Sequence, residues 1–404
     1  MIDNTGLSAV PGFQFSGICS DGNNKKNIGL IYSPNANTFG TAVYTKSDVV
    51  APPVIVSKDH DKTTFVKRAV LINSGNANAF TGEQGLLDSR KCAETASSLL
   101  NIKTGEVYVA STGVIGQKLD MENILAGIHT VSESLLSDKE NADNFIEAIM
   151  TTDTRKKQAS VSFTIDGKET HIAACAKGAG MIMPDMATML SVVLTDAAIT
   201  PALMKKALCE TVDNSFNRIT IDGDTSTNDS VFLLSNGLAE NSLIKNENSE
   251  NYILFKHHLQ ELLIYMAREI VRDGEGVTKF ITVRIINTPT VQNAKDIAFS
   301  IGNSPLVKTT FYGNQLNWGR LLMAIGKAQT RLDCNIIDIF VNNYSIIRNG
   351  EPNLSDEEFS KAEISLKQND IDILVDFKQG SESTTIWTCD YSIDYIKINA
   401  NYIT

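Results

Sequence analysis

Histidine, paired cysteine and long apolar runs are all scarce in this sequence, and each scarcity excludes something. Five histidines in 404 residues include one close pair, His257 and His258. Adjacent residues on a helix point to different faces. With no H-E-x-x-H or similar spacing, no metal site is expected. The six cysteines, Cys19, Cys92, Cys175, Cys209, Cys334 and Cys389, form no C-x-x-C pair. Free buried thiols are expected, not a disulfide framework or a zinc site. No run of about 18 apolar residues occurs, which argues against a transmembrane helix. The opening MIDNTGLSAV lacks a basic stretch followed by an apolar one, so no secretory leader and a cytoplasmic location are expected. A basic stripe is also missing. The formal charge of −11 argues against nucleic acid and against an anionic membrane surface. A small anionic substrate stays compatible, because one buried Lys or Arg can bind it locally.

What is present is an ordinary globular composition, 42% hydrophobic and 21% charged, enough for one large core or two to three smaller ones. Short apolar runs rich in β-branched residues at 28–32, 69–72, 107–110, 161–165, 172–175, 190–194 and 231–234 predict strands. Helices are predicted over 87–100, 121–136, 201–212 and 252–271. Thr200-Pro201 is the N-cap and first-turn pair of the third. Leu254, His258, Leu262, Met266 and Ile270 recur every four residues along the fourth. Further strands at 281–286, 336–340, 371–375 and 384–388 surround helices near 294–300 and 320–329. They suggest a subdomain at about 281–390, with a polar, loop-rich stretch at 348–370. No G-x-G-x-x-G follows a strand, so a mixed α/β protein is expected and not a doubly wound one.

One segment carries the chemistry: Lys177-Gly-Ala-Gly-Met-Ile-Met-Pro-Asp-Met-Ala-Thr-Met-Leu190. Gly178 and Gly180 permit backbone conformations barred to other residues. Pro184 fixes one φ angle just before Met186-Ala187-Thr188. A hydroxyl residue is thus held where a constrained loop becomes a strand. By itself this reads equally as an ordinary turn whose threonine bonds a neighbouring backbone group.

The segment resembles the cleavage-site signature of the ornithine acetyltransferase (glutamate N-acetyltransferase) family. Other stretches resemble that family in the same order: Leu71-Ile-Asn-Ser-Gly-Asn-Ala-Asn-Ala79, Ser111-Thr-Gly-Val-Ile-Gly116, Thr151-Thr-Asp-Thr154, Ile219-Thr-Ile-Asp-Gly-Asp-Thr-Ser-Thr-Asn228, Asn317-Trp-Gly-Arg320 and Lys397-Ile-Asn-Ala400. Two positions depart from the pattern. Asp185 stands where the family often has Asn, and Gly313-Asn-Gln-Leu-Asn-Trp318 replaces a more usual G-N-D-P-N-W.

The resemblance implies a layered α/β/β/α fold of the type shared with DmpA-like aminopeptidases, working with N-terminal-nucleophile logic. It implies self-cleavage between Ala187 and Thr188, giving an α chain, 1–187, and a β chain, 188–404, assembled as a heterotetramer of two each. Thr188 is then the nucleophile, with its new α-amine as base. Thr112 and Gly113 form the oxyanion hole. Thr151 (or its neighbour Thr152), Lys177, Thr188, Glu275, Asn399 and Thr404 bind substrate. Lys177 takes the α-carboxylate and Glu275 the cationic end. The reaction implied is acetyl transfer from N2-acetyl-L-ornithine to L-glutamate by a ping-pong cycle. No cofactor is implied; acetyl-CoA is a candidate co-substrate. Two rivals remain: an aminopeptidase-like hydrolase that gives the acyl-Thr188 ester to water, and a non-catalytic oligomer that stays uncut. Asp222 and Asp224 invite a calcium-loop reading, but the EF-hand spacing is absent. Hydrogen-bonded support of the site is the expected role of Ile219–Asn228.

Overall fold

The computed structural model describes residues 1–3, 5–183 and 189–401. Among the described residues the chain divides into two compact units: Met1–Asn217 with Asp224–Ile270, and Arg218–Gly223 with Val271–Asn401. Among the described residues no helix is long and apolar enough to cross a membrane.

In the first unit, β1 (Ile2–Asp3), β2 (Gln14–Ile18), β3 (Ile28–Tyr32) and β4 (Phe39–Tyr44) precede α1 (Pro52–Thr63). Next come β5 (Ala69–Asn73), α2 (Gly82–Leu100), β6 (Val107–Ser111), α3 (Met121–Glu133) and α4 (Lys139–Ile149). The unit continues with β7 (Lys157–Ile165), β8 (Lys168–Lys177), β9 (Leu190–Thr195), α5 (Pro201–Asp213) and β10 (Ser230–Ser235). It runs into α6 (Glu250–Arg272), whose residues to Ile270 belong to it. One sheet has the order β1-β7-β8-β9-β10-β4 and the other β2-β3-β5-β6.

The apolar runs are continuous because both faces of the second sheet are covered. Alternation still sorts the side chains. Val70 and Ile72 of β5, with Tyr108 and Ala110 of β6, face Cys175, Val192, Leu194 and Phe232 of the other sheet. Ala69 and Leu71, with Val107 and Val109, face α2 and α3 through Cys92, Ala93, Ala96, Ile124 and Ile128. On the other sheet α5 packs against β4. α6 follows α5, Lys256 pairing with Glu210 and Gln260 reaching the Thr211 carbonyl. The result is the layered α/β/β/α class that the resemblance implied.

Helix ends follow local chemistry. Asp120 and Asp138 accept from the N–H three residues on, fixing the starts of α3 and α4. Thr200 does stand before α5, but its side chain makes no capping bond, and Pro201 alone sets that first turn. Lys67 is fully buried and donates to the carbonyls of His60 and Thr64 at the end of α1 and of Gly105.

The second unit holds β11 (Phe280–Thr288), α7 (Val291–Gly302), α8 (Pro305–Tyr312), α9 (Trp318–Lys327), β12 (Asp338–Val341), β13 (Tyr344–Arg348) and β14 (Glu351–Pro352). It ends with α10 (Asp356–Ser365), β15 (Asp370–Asp376), β16 (Glu382–Cys389) and α11 (Ile393–Asn401). Its sheet has the order β14-β13-β12-β15-β11-β16, with α7 packed on β11 and β16. The stretch 348–370 is not a loop: it contains β14 and α10. Ser355 and Glu358 form a reciprocal capping box there. Asn317-Trp-Gly-Arg320 is structural in this unit. Asn317 caps α9, and Arg320 ties it to the Leu306 carbonyl and the Thr309 and Thr310 hydroxyls of α8.

Candidate active site

β5 and β6 run parallel, and the loops that leave their C-terminal ends meet. The Thr112 N–H donates to the Asn73 carbonyl at 3.0 Å, the Val114 N–H to the Gly75 carbonyl at 3.2 Å, and the Ala77 N–H to the Val114 carbonyl at 2.9 Å. The Ser111 hydroxyl bonds Asn73 Oδ1 at 2.5 Å. Between these anchors Gly113 adopts φ +129, and a Cβ there would stand 2.3 Å from the Gly75 carbonyl carbon. Only glycine fits. Among the described residues the Gly113 N–H makes no hydrogen bond, so a backbone donor lies beside the Thr112 hydroxyl.

Lys177, the last residue of β8, is buried and reaches this loop. Its ammonium donates to the Thr151 hydroxyl at 2.7 Å and to the Thr112 hydroxyl at 3.2 Å. Among the described residues Thr152 makes no such contact. Asp153 organises the rest. It accepts from the Thr151 N–H at 3.0 Å, the Gly178 N–H at 2.8 Å and the Lys157 ammonium at 2.6 Å. The side chains of Asp153 and Lys157 are both fully buried. Burial pushes the Asp153 carboxyl up, but the charges of Lys177 and Lys157 and the Gly178 N–H outweigh it, leaving it well below the usual carboxylate range. Asp153 and Lys157 were not singled out from sequence. Asp153 lies inside Thr151-Thr-Asp-Thr154, and its i,i+4 spacing to Lys157 was the available signal.

The segment 218–229 serves the two units in turn. Within the second, Arg218 bonds the Thr384 hydroxyl, Thr220 bonds Asn303, and the Tyr391 hydroxyl donates to the Asp222 carbonyl. Within the first, Thr225 donates to the Met183 carbonyl, and Asn228 donates to the carbonyls of Ala77 at 2.6 Å and Ser111 at 2.9 Å. Asn228 therefore ties the Ala77 backbone to Ser111, the residue before the Thr112–Gly113 loop.

In the second unit Glu275 is buried and accepts from the Asn399 amide at 2.8 Å. Gly276 has φ +66 and its Cβ position would meet the Tyr395 N–H of α11 at 2.4 Å, which brings Glu275 up against that helix. Ala187, Thr188, Thr404, Pro184 and Asp185 lie outside the described residues.

Other nucleophiles and ligands are poorly placed for this chemistry. The six cysteines are free, but only Cys92, Cys175 and Cys389 are buried; Cys334 is exposed. Burial raises the Cys92 and Cys175 thiols to about 12, which keeps them protonated at neutral pH. His257 and His258, expected to diverge, both reach Glu261 Oε2 at 3.4 Å. The three form a cluster with ligand atoms within 4.8 Å of one another.

A hydroxyl, an open backbone N–H and a buried ammonium, gathered where two parallel strands end, are the equipment of an acyl-transfer enzyme. The comparisons with known proteins give that class a family. The model of the ArgJ family matches residues 14–404. An arginine biosynthesis bifunctional protein ArgJ of Symbiobacterium thermophilum is 42% identical over 99% of this chain and 98% of its own length. One of Bacillus subtilis is 41% identical over 98% of this chain and 96% of its own. A solved structure of an arginine biosynthesis bifunctional protein from Bacillus halodurans is 39% identical and matches with a TM-score of 0.51, covering 53% of this chain and 100% of its own. The chain belongs to the ArgJ family.

Proposed function

We propose that this protein is a glutamate N-acetyltransferase of arginine biosynthesis. It moves acetyl from N2-acetyl-L-ornithine to L-glutamate through an acetyl-Thr188 ester, after cutting itself between Ala187 and Thr188. The observation that carries the reading is the buried Lys177 ammonium bridging Thr112 and Thr151 beside the open Gly113 N–H. An anion-binding cation stands directly against a pair of oxyanion donors, as an amino-acid substrate with a reacting acyl group requires.

In maturation the Thr188 hydroxyl adds to the Ala187 carbonyl carbon and the peptide C–N bond breaks. The resulting ester is opened by water, leaving the Ala187 carboxylate and a Thr188 with a free hydroxyl and α-amine. An unperturbed α-amine has a pKa of about 7.7–8.0, so a useful fraction is neutral near pH 7 and can take the hydroxyl proton. In turnover Thr188 Oγ adds to the acetyl carbon while its proton passes to the α-amine. The oxyanion is held by Thr112 and Gly113. Collapse expels the α-nitrogen of ornithine, which takes that proton. The α-amine of glutamate then attacks the ester and regenerates Thr188.

On the resemblance, Lys177 takes the α-carboxylate, Glu275 meets the cationic end, and Thr151 (or Thr152), Asn399 and Thr404 close the pocket. Acetyl-CoA acts as a second acetyl donor, without a bound cofactor. Fragments 1–187 and 188–404 stay together as a heterotetramer in the cytoplasm.

The test is incubation with N-acetylornithine alone, then with glutamate. The expected result is a fragment beginning at Thr188 that gains one acetyl group by mass, then loses it to glutamate as N-acetylglutamate. Acetate release without transfer would support the hydrolase instead, and an unmodified fragment would remove the ping-pong cycle.

A further inference from the structure

Asp229 immediately precedes β10. It is 2% exposed, yet its Oδ2 has no hydrogen-bond partner among the described residues. Buried polar atoms in folded proteins are nearly always paired, so an open one needs a reason. The backbone around it is pinned on both sides. The Thr45 N–H donates to the Asp229 carbonyl at 2.9 Å, and the Ser230 N–H donates to the Met189 carbonyl at 3.0 Å. Burial pushes the carboxyl well above the usual range, and the Ser226 hydroxyl, the Lys177 charge and the Met189 N–H offset only part of this. Behind Lys177 stand Asp153 and Lys157. Burial therefore works against the charged form of this carboxyl while nothing cationic comes closer.

The position along the chain gives the open oxygen a purpose. Asp229 meets the Met189 N–H, and Thr188 directly precedes Met189 in the chain. Before cleavage the α-nitrogen of Thr188 is an uncharged amide. Cleavage turns it into an amine with more N–H groups and a basic lone pair. We propose that Asp229 is a positioning residue for the nucleophile, its open Oδ2 receiving an N–H of the amine that cleavage creates at Thr188. This rests on the reading of Thr188 as an N-terminal nucleophile. With one N–H held by the carboxylate, the amine lone pair is left for the threonine hydroxyl, and the ammonium formed during attack meets a counter-charge.

A carboxylate beside an ammonium favours the charged amine, so its removal lets the amine lose its proton at lower pH. Asparagine keeps the shape and an acceptor oxygen of the buried side chain without its charge, which makes Asp229→Asn a close replacement that folds and still cleaves. The experiment compares wild type and Asp229→Asn by intact mass and by kcat for acetyl transfer from pH 5 to 9. The variant is expected to cleave, to lose about tenfold to a hundredfold in kcat, and to shift the acidic limb of its pH profile down by about one unit or more. A merely structural role lowers kcat without moving the limb, and that result overturns the proposal. So does a variant that stays uncut, because the amine does not exist before the cut. If Asp229→Asn does not fold, Ser226→Ala decides. Removing that hydroxyl weakens the carboxylate, and a smaller shift in the same direction is expected; an unmoved limb overturns the proposal. An uncut wild type would instead refute the reading of Thr188, and the parallel mass measurement tells the two failures apart.

Discussion

Replacing Asp153 with alanine is expected to cost about 3–5 kcal/mol of stability, because it takes the carboxylate from a buried ion pair and leaves the cations behind. Lys157 and Asp153 have fully buried side chains at 2.6 Å, and Lys177 adds a second positive charge to the same carboxylate. The Thr151 and Gly178 N–H groups lose their acceptor in the same step. The effect depends on pH with a definite sign. The folded carboxyl lies below its unfolded value, so its contribution is complete above about pH 4 and is lost as pH falls toward the folded value. Urea midpoints of wild type and variant should differ most near pH 7 and converge in acid. A gap that does not narrow in acid would mean that packing, not charge, holds Asp153 in place.

Gly113→Ala is expected to lower kcat for acetyl transfer by about 10²–10³ with KM nearly unchanged, the loss typical of one oxyanion donor. A Cβ at this position would lie 2.3 Å from the Gly75 carbonyl carbon and 2.6 Å from the Asn76 nitrogen. Neither backbone atom can swing aside as a side-chain end can, so the 112–114 loop must move and its N–H turns from its line. On the proposed reading Lys177, not this N–H, takes the substrate carboxylate, so ground-state binding is spared. Steady-state kinetics on the cleaved variant separate the outcomes. A raised KM with kcat intact would place Gly113 in substrate binding and leave the oxyanion hole unassigned.

Much of the fold could be read from residue pattern, and the failures have physical reasons. Runs such as 69–72 and 107–110 are apolar at every position because both faces of that sheet are buried, and length with β-branching was enough to identify them. α10 went unread because it buries only Ala362, so it has no apolar stripe to detect, although the Ser355–Glu358 capping box was there to read. α1 and α4 went unread too; α1 opens on Pro52-Pro53, which reads as a break but is tolerated in a first turn. At the site, the glycine and hydroxyl residues of the Thr112 loop were legible as motifs. Lys177 was named with them, but the buried charges around it were not. Asp153, Lys157 and Asp229 gain their importance from burial beside one another, and burial of a polar residue is a property of the fold and not of its spacing.

Intact-mass analysis under denaturing conditions, on the purified protein beside Thr188→Ala, tests the central claim most directly. The account predicts two wild-type fragments dividing between Ala187 and Thr188, and one chain of 44.0 kDa for the variant. A single uncut wild-type chain, or a variant that still divides at that bond, would contradict it.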